Sequence, residues 1–152
     1  MNEKTAHAAA PAQPWNSLLS NFNRHLKMNI VAWSDGAATV TLDIQDFMRN
    51  RFGAVHGGVL ATLIDAAGGY AGNYCPHPGR RRISSTISMT TTYVAASKGG
   101  RITAKATVRG GGKTIYVSTV EIVDEDGTLL AVGEASYRRA KGSETLEGVP
   151  AE

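Results

Sequence analysis

A single cysteine in 152 residues leaves no internal disulfide, so nothing in the chain asks for an oxidising compartment. Cys75 is expected to serve packing. No apolar run nears the ~20 residues that a bilayer-spanning helix needs, and residues 1–14, rich in Ala and Pro, lack the apolar core of a signal peptide. The expectation is a cytoplasmic protein with a flexible start and no membrane partner. Aromatic residues are only 7% of the chain and no basic block is interleaved with them, which argues against nucleic acid as a partner. The net charge of +3 suits an anionic small molecule. Arg80, Arg81 and Arg82 form the one basic run, and two readings stay open for it: a solvated loop or a phosphate contact. His7, His25, His56 and His77 show no metal-ligand spacing, so no metal site is expected.

An apolar content of 42% in a chain of this length supports one domain. It is expected over residues 15–140, with a loose tail over 141–152. Trp15, Leu18, Leu19 and Phe22 recur at helical spacing and predict a short amphipathic helix over 15–25. Residues 28–33 and 37–44 alternate around Ser34, Asp35 and Gly36, which predicts a hairpin. After Pro76, His77, Pro78 and Gly79 the composition turns to Thr, Val, Ile, Ser and Tyr, and four strands are expected over 83–95, 101–108, 114–124 and 129–138. Turn-forming residues separate these strands, so an antiparallel meander is the expected order.

Between hairpin and strands lies one long helix, residues 57–74, announced by His56, Gly57 and Gly58. Lys, Arg, Glu and Gln are all missing from it, and so is Pro from Asn50 to Cys75. On a wheel of 100° per residue, Leu60, Leu63, Ile64, Ala67 and Ala71 fall on an apolar stripe. The opposite face carries Gly57, Gly58, Ala61, Thr62, Asp65, Gly68, Gly69 and Gly72. Each interior glycine costs a helix about 1 kcal/mol, so something must approach that face closely. A second helix or a ligand is the expected neighbour.

Asp65 is alone on this face, and a lone carboxylate beside a glycine-opened helix start suits acyl transfer. The first helix amides are free donors with positive dipole character, and side-chain-free Gly57 and Gly58 leave them accessible to a developing oxyanion. A base must act from the other side. Asp65 lies about 12 Å further along the helix and about 80° around it, too far to serve the same carbonyl. Packing a second copy of the helix antiparallel across a two-fold axis would bring the two together. A homodimer is therefore the expected minimal active unit.

The spacing from Asn50 through His56-Gly57-Gly58 to Asp65, with Gly112-Lys113 and Asp126-Gly127 turns beyond, resembles hotdog-fold acyl-CoA thioesterases of the phenylacetate-pathway type. The resemblance spans about residues 42–137. It implies an α+β fold in which an antiparallel sheet of five or six strands wraps one central helix. It implies hydrolysis of an acyl-CoA thioester, with Asp65 activating water or attacking directly, and the Gly57 amide and Asn50 polarising the carbonyl. A hydroxyl that holds the water falls at Thr86, with Ser85 and Ser88 as near alternatives. His56 is expected to orient the loop and Asn50 by hydrogen bonds. Coenzyme A enters as part of the substrate and no cofactor is implied. Its contacts are expected from Tyr93 and Lys98 and from the turn Arg109, Gly110, Gly111, Gly112, Lys113 and Thr114, while Gly58 is expected as a substrate-binding residue at the helix start and Val55, Leu60, Tyr70 and Tyr74 could line an apolar channel for the acyl group. Such dimers pair further, so a homotetramer is expected. The alternatives are a non-catalytic acyl-CoA binder and, against the missing proline, a hotdog dehydratase or hydratase.

Overall fold

The core forms where one stripe of a single helix meets one face of a sheet. The computed structural model describes residues 13–152. Helix α2 is Gly57–Gly72, and its Leu60, Leu63, Ile64, Ala67 and Ala71 are buried. They pack on inward residues of strands β2 (Ala37–Asp43), β5 (Arg101–Gly111), β6 (Ile115–Val123) and β7 (Leu129–Arg139), among them Val40, Leu42, Ile102, Val120, Ile122 and Leu130. Burial alternates along β2 and β6, the period-two signature of a sheet covered on one side.

Strand β1 (Asn29–Ser34) forms the expected hairpin with β2. The two-residue strand β3 (Arg80–Arg81) and strand β4 (Ser84–Tyr93) follow α2. The six-stranded antiparallel sheet has the order β1-β2-β5-β6-β7-β4. Only β5, β6 and β7 follow the expected meander. β4 pairs with β7 at the far edge, and the chain then crosses the end of the sheet to begin β5 beside β2. That crossing is held by backbone bonds from Val94 to Leu130, from Val55 to Ser97 and from Ile44 to Gly100.

Two further expectations change. Residues 15–25 are not one helix: Pro14–Leu18 forms a 3₁₀ turn, and α1 (Asn21–His25) starts anew because Ser20 caps it through Asn23. The expected flexible start, 1–14, lies outside the described residues except for its last two. Residues 141–152 are not loose. Strand β8 (Val149–Pro150) pairs with β3, and the arginine run that was read as a solvated loop or a phosphate contact ties this segment down instead. Arg82, buried, donates to the carbonyls of Ser143 and Tyr74, while Arg80 donates to those of Glu147 and Gly148.

The glycines of α2 also find a different neighbour from the one expected. Gly68 and Gly72 are buried, and a Cβ on either would run into the ring of Tyr137 or Tyr116. These two tyrosines come from β7 and β6 of the same chain, stacked with centroids 5.0 Å apart. Their hydroxyls donate to the Asp65 and Gly69 carbonyls, and Ser118 donates to Gly68. Part of the small-residue face is therefore filled by the protein's own sheet.

Candidate active site

α2 starts at Gly57 because His56 holds an extended backbone and caps the helix, its Nδ1 accepting the Gly58 amide at 2.9 Å. The pair of free amides expected from Gly57 and Gly58 thus reduces to one. Among the described residues the Gly57 amide has no acceptor. The His56 side chain makes no hydrogen bond to Asn50, contrary to expectation.

Asn50 is fixed by its own loop. Its Oδ1 accepts the amides of Phe52 at 2.9 Å and Ala54 at 3.1 Å, an arrangement natural to asparagine in turns. This leaves Nδ2 of Asn50 as a donor without an acceptor among the described residues. Tyr93, from the end of β4, lies over the helix start and donates to the Gly57 carbonyl at 3.1 Å. A Cβ at position 57 would sit 3.2 Å from Tyr93 Cζ, so glycine makes room for this ring. Asn50, Val55, Gly57, Leu60 and Tyr93 line one cavity of about 340 Å³.

Asp65 does not belong to that cavity. It stands mid-helix, partly exposed, and its Oδ1 accepts the Thr86 hydroxyl at 2.6 Å. Of the three candidate hydroxyls on β4, Thr86 alone reaches it. The Oδ2 atom accepts nothing among the described residues. Tyr137, absent from the residues singled out in the sequence, holds the Asp65 carbonyl at 2.9 Å and is the cross-strand partner of Thr86. Its signal was the run of glycines that admits its ring.

Lys98 and the turn Gly110–Thr114 lie at opposite ends of β5, roughly 33 Å apart at strand rise. One chain does not bring them to one ligand. Lys98 shares its loop cavity with Asp124, Glu125 and Asp126. Arg109 donates to Thr119 at 2.7 Å, and Arg139 donates to the carbonyls of Gly112 and Lys113. Gly111, at φ +134°, is needed because any Cβ would meet the backbone of Ile115 and Tyr116. Among the described residues, no three of His, Cys, Asp and Glu gather as metal ligands would, and no helix is long and apolar enough to cross a membrane.

Comparison with known proteins agrees with this geometry. The profile of the thioesterase superfamily matches residues 52–131. The chain is 30% identical over 122 residues to acyl-coenzyme A thioesterase PaaI of Escherichia coli, spanning 80% of this chain and 84% of that protein. It is 31% identical over 116 residues to human acyl-coenzyme A thioesterase 13, spanning 74% and 81% respectively. Among solved structures, a thioesterase from Haemophilus influenzae superposes with a TM-score of 0.73 at 26% identity, over 82% of this chain and 87% of that one. The α+β hotdog arrangement, with six strands around one helix, is the fold shared with these neighbours. By matched profile, relatives and fold together, the chain belongs to the thioesterase superfamily and is a thioester hydrolase.

Proposed function

We propose that the protein hydrolyses acyl-CoA thioesters at sites that two copies build together. The observation that carries this is the separation of two half-sites along α2: a free Gly57 amide with Asn50 at its start, and Asp65 with Thr86 at its middle. A water on the open Asp65 oxygen would lose a proton to the carboxylate and attack the carbonyl carbon. The Gly57 amide and Asn50 Nδ2 would receive the oxyanion. Collapse of the tetrahedral adduct breaks the C–S bond, and the proton on Asp65 passes to the departing thiolate. Asp65 as a nucleophile, with water then opening the anhydride, needs the same groups.

The edge strand supports a two-chain site. Among the described residues β4 has no partner on its outer side, and it contains no buried residue; Ile87 is 51% exposed, Met89 40% and Tyr93 54%. Such an edge invites pairing with another strand. A two-fold axis at Thr90 would pair β4 with its own copy and set Thr86 across from the partner's Tyr93, since the bulge at Ile87 takes one residue out of the ladder and leaves both three rungs from the axis. Asp65 of one chain would then face the Gly57 start of the other. The same pairing carries the Lys98 loop of one chain toward the Gly110–Thr114 turn of the other, where both could meet one coenzyme A. A homotetramer would be a pair of such dimers.

Release of free thiol from a panel of CoA esters tests the activity. Mixing inactive Asp65→Ala and Asn50→Ala subunits tests the shared site: random exchange gives half heterodimers with one intact site in two, so about a quarter of native activity returns. Full activity of a monomer overturns the proposal, and so does no recovery on mixing once mixed dimers are verified.

A further inference from the structure

We infer that Tyr137 is a positioning residue for the hydrolysis, holding the main chain of Asp65 so that the open carboxylate oxygen keeps its aim. The inference rests on the reading of Asp65 as base or nucleophile. Thr86, Tyr137 and Tyr116 are neighbours along one rung of the sheet, from β4, β7 and β6. Directly opposed residues of paired strands turn their side chains to one face, and here that face meets α2. All three hydroxyls donate to the helix within a single turn: Thr86 to Asp65 Oδ1 at 2.6 Å, Tyr137 to the Asp65 carbonyl at 2.9 Å and Tyr116 to the Gly69 carbonyl at 2.9 Å. Two of these bonds fall on Asp65.

The two bonds on Asp65 restrain different things. Thr86 holds one carboxylate oxygen, and rotation about the side chain's own bonds would let that contact survive a small shift or turn of the helix. The open oxygen would then swing about the held one. Tyr137 prevents this by fixing the main chain from which the side chain springs. It is itself well anchored, 2% exposed, with its ring stacked on that of Tyr116 and the planes 17° apart. The Asp65 carbonyl lies in mid-helix, where the ladder of the helix already uses one of its two lone pairs, so the helix forms without a second donor. Tyr116 makes the same kind of bond without the same duty: it is as deeply buried, and the carbonyl it holds belongs to Gly69, to which the reaction assigns nothing.

Tyr137→Phe and Tyr116→Phe both keep their rings and each loses one buried hydroxyl, so their denaturant midpoints should fall by similar amounts. Turnover should separate them. With the CoA ester that the native protein turns over fastest, thiol release by Tyr137→Phe should show kcat lowered about tenfold and KM within about twofold of native, because a slightly displaced base slows the chemistry and leaves binding alone. Tyr116→Phe should keep kcat within about twofold of native. In an Asp65→Asn background, where no base remains to be aimed, Tyr137→Phe should lower the residual kcat no further. The inference is overturned by native kcat in Tyr137→Phe, by an equal fall in Tyr116→Phe, or by the same fall in the Asp65→Asn background. Those three results leave Asp65 as the base, whereas native kcat in Asp65→Asn overturns that reading and this inference together.

Discussion

Thr86 donates a 2.6 Å hydrogen bond to Asp65 Oδ1, and across the ladder from Thr86 stands Tyr137, which holds the backbone carbonyl of the same aspartate. The helix is thereby tied at one residue to the edge strand β4 through its side chain and to β7 through its main chain. The carboxylate is oriented with one oxygen occupied and the other open.

This geometry makes Thr86 and Asp65 unequal in a measurable way. Asp65→Asn removes the base and should lower kcat by a factor of about 10² to 10⁴. Thr86→Val removes one hydrogen bond to a charged, partly exposed group and should lower kcat by roughly tenfold, with KM little changed. Thr86→Ser keeps the hydroxyl and should retain most turnover. Native turnover in the Val variant with a loss in the Ser variant, read from thiol release, would mean that Thr86 acts by packing alone.

The helix start, the hairpin and the apolar stripe were legible because each rests on local rules: capping, alternation and 3.6-residue periodicity. The pairing of β4 with β7 was not, since turn residues between strands say where a chain bends and not which edge it joins. The arginine run misled for a related reason. Charge predicts solvent in the absence of partners, and Arg80 and Arg82 found theirs in the carbonyl of Tyr74 nearby and in those of Ser143, Glu147 and Gly148, far along the chain. Gly68 and Gly72 announced a close approach, but only the folded sheet identifies Tyr137 and Tyr116 as what approaches.

Two glycines of α2, Gly69 and Gly72, predict opposite signs for one chemical change. Alanine at an ordinary interior helix glycine stabilises by about 1 kcal/mol, and Gly69→Ala should do so, since its Cβ would lie an unstrained 3.4 Å from Tyr137. Gly72→Ala forces its methyl into the Tyr116 ring and should cost roughly 1–3 kcal/mol. Denaturant midpoints of the two variants should bracket the native one. Two stabilised variants would mean that the ring moves aside freely.

His56 caps the helix, and the proposed reaction assigns it no step. His56→Ala frees the Gly58 amide and should cost about 1 kcal/mol of stability, as loss of an N-cap does. His56→Asn restores a capping acceptor and should recover it. Turnover in both should stay within a few-fold of native, because the donor proposed for the oxyanion is Gly57. A thousandfold fall in kcat with unchanged stability would place His56 in the chemistry.

Buried phenols make the fold sensitive to alkali. Burial pushes Tyr116 up to about 12 from 10.0, against the opposing pull of Ser84 and Arg139, and burial also raises Tyr137, with the Asp65 charge adding to it. Both fold as neutral phenols, while the unfolded chain ionises them near 10. Their contribution is therefore complete below pH 10 and is lost as pH rises toward 12, with a slope approaching ~1.4 kcal/mol per pH unit for each. Unfolding free energies measured from pH 9 to 11 should fall in this way. Tyr116→Phe cannot ionise, so although it forfeits the hydroxyl's bond to Gly69, its stability should decline less steeply over the same interval. An unchanged slope in that variant would assign the alkaline loss to other groups.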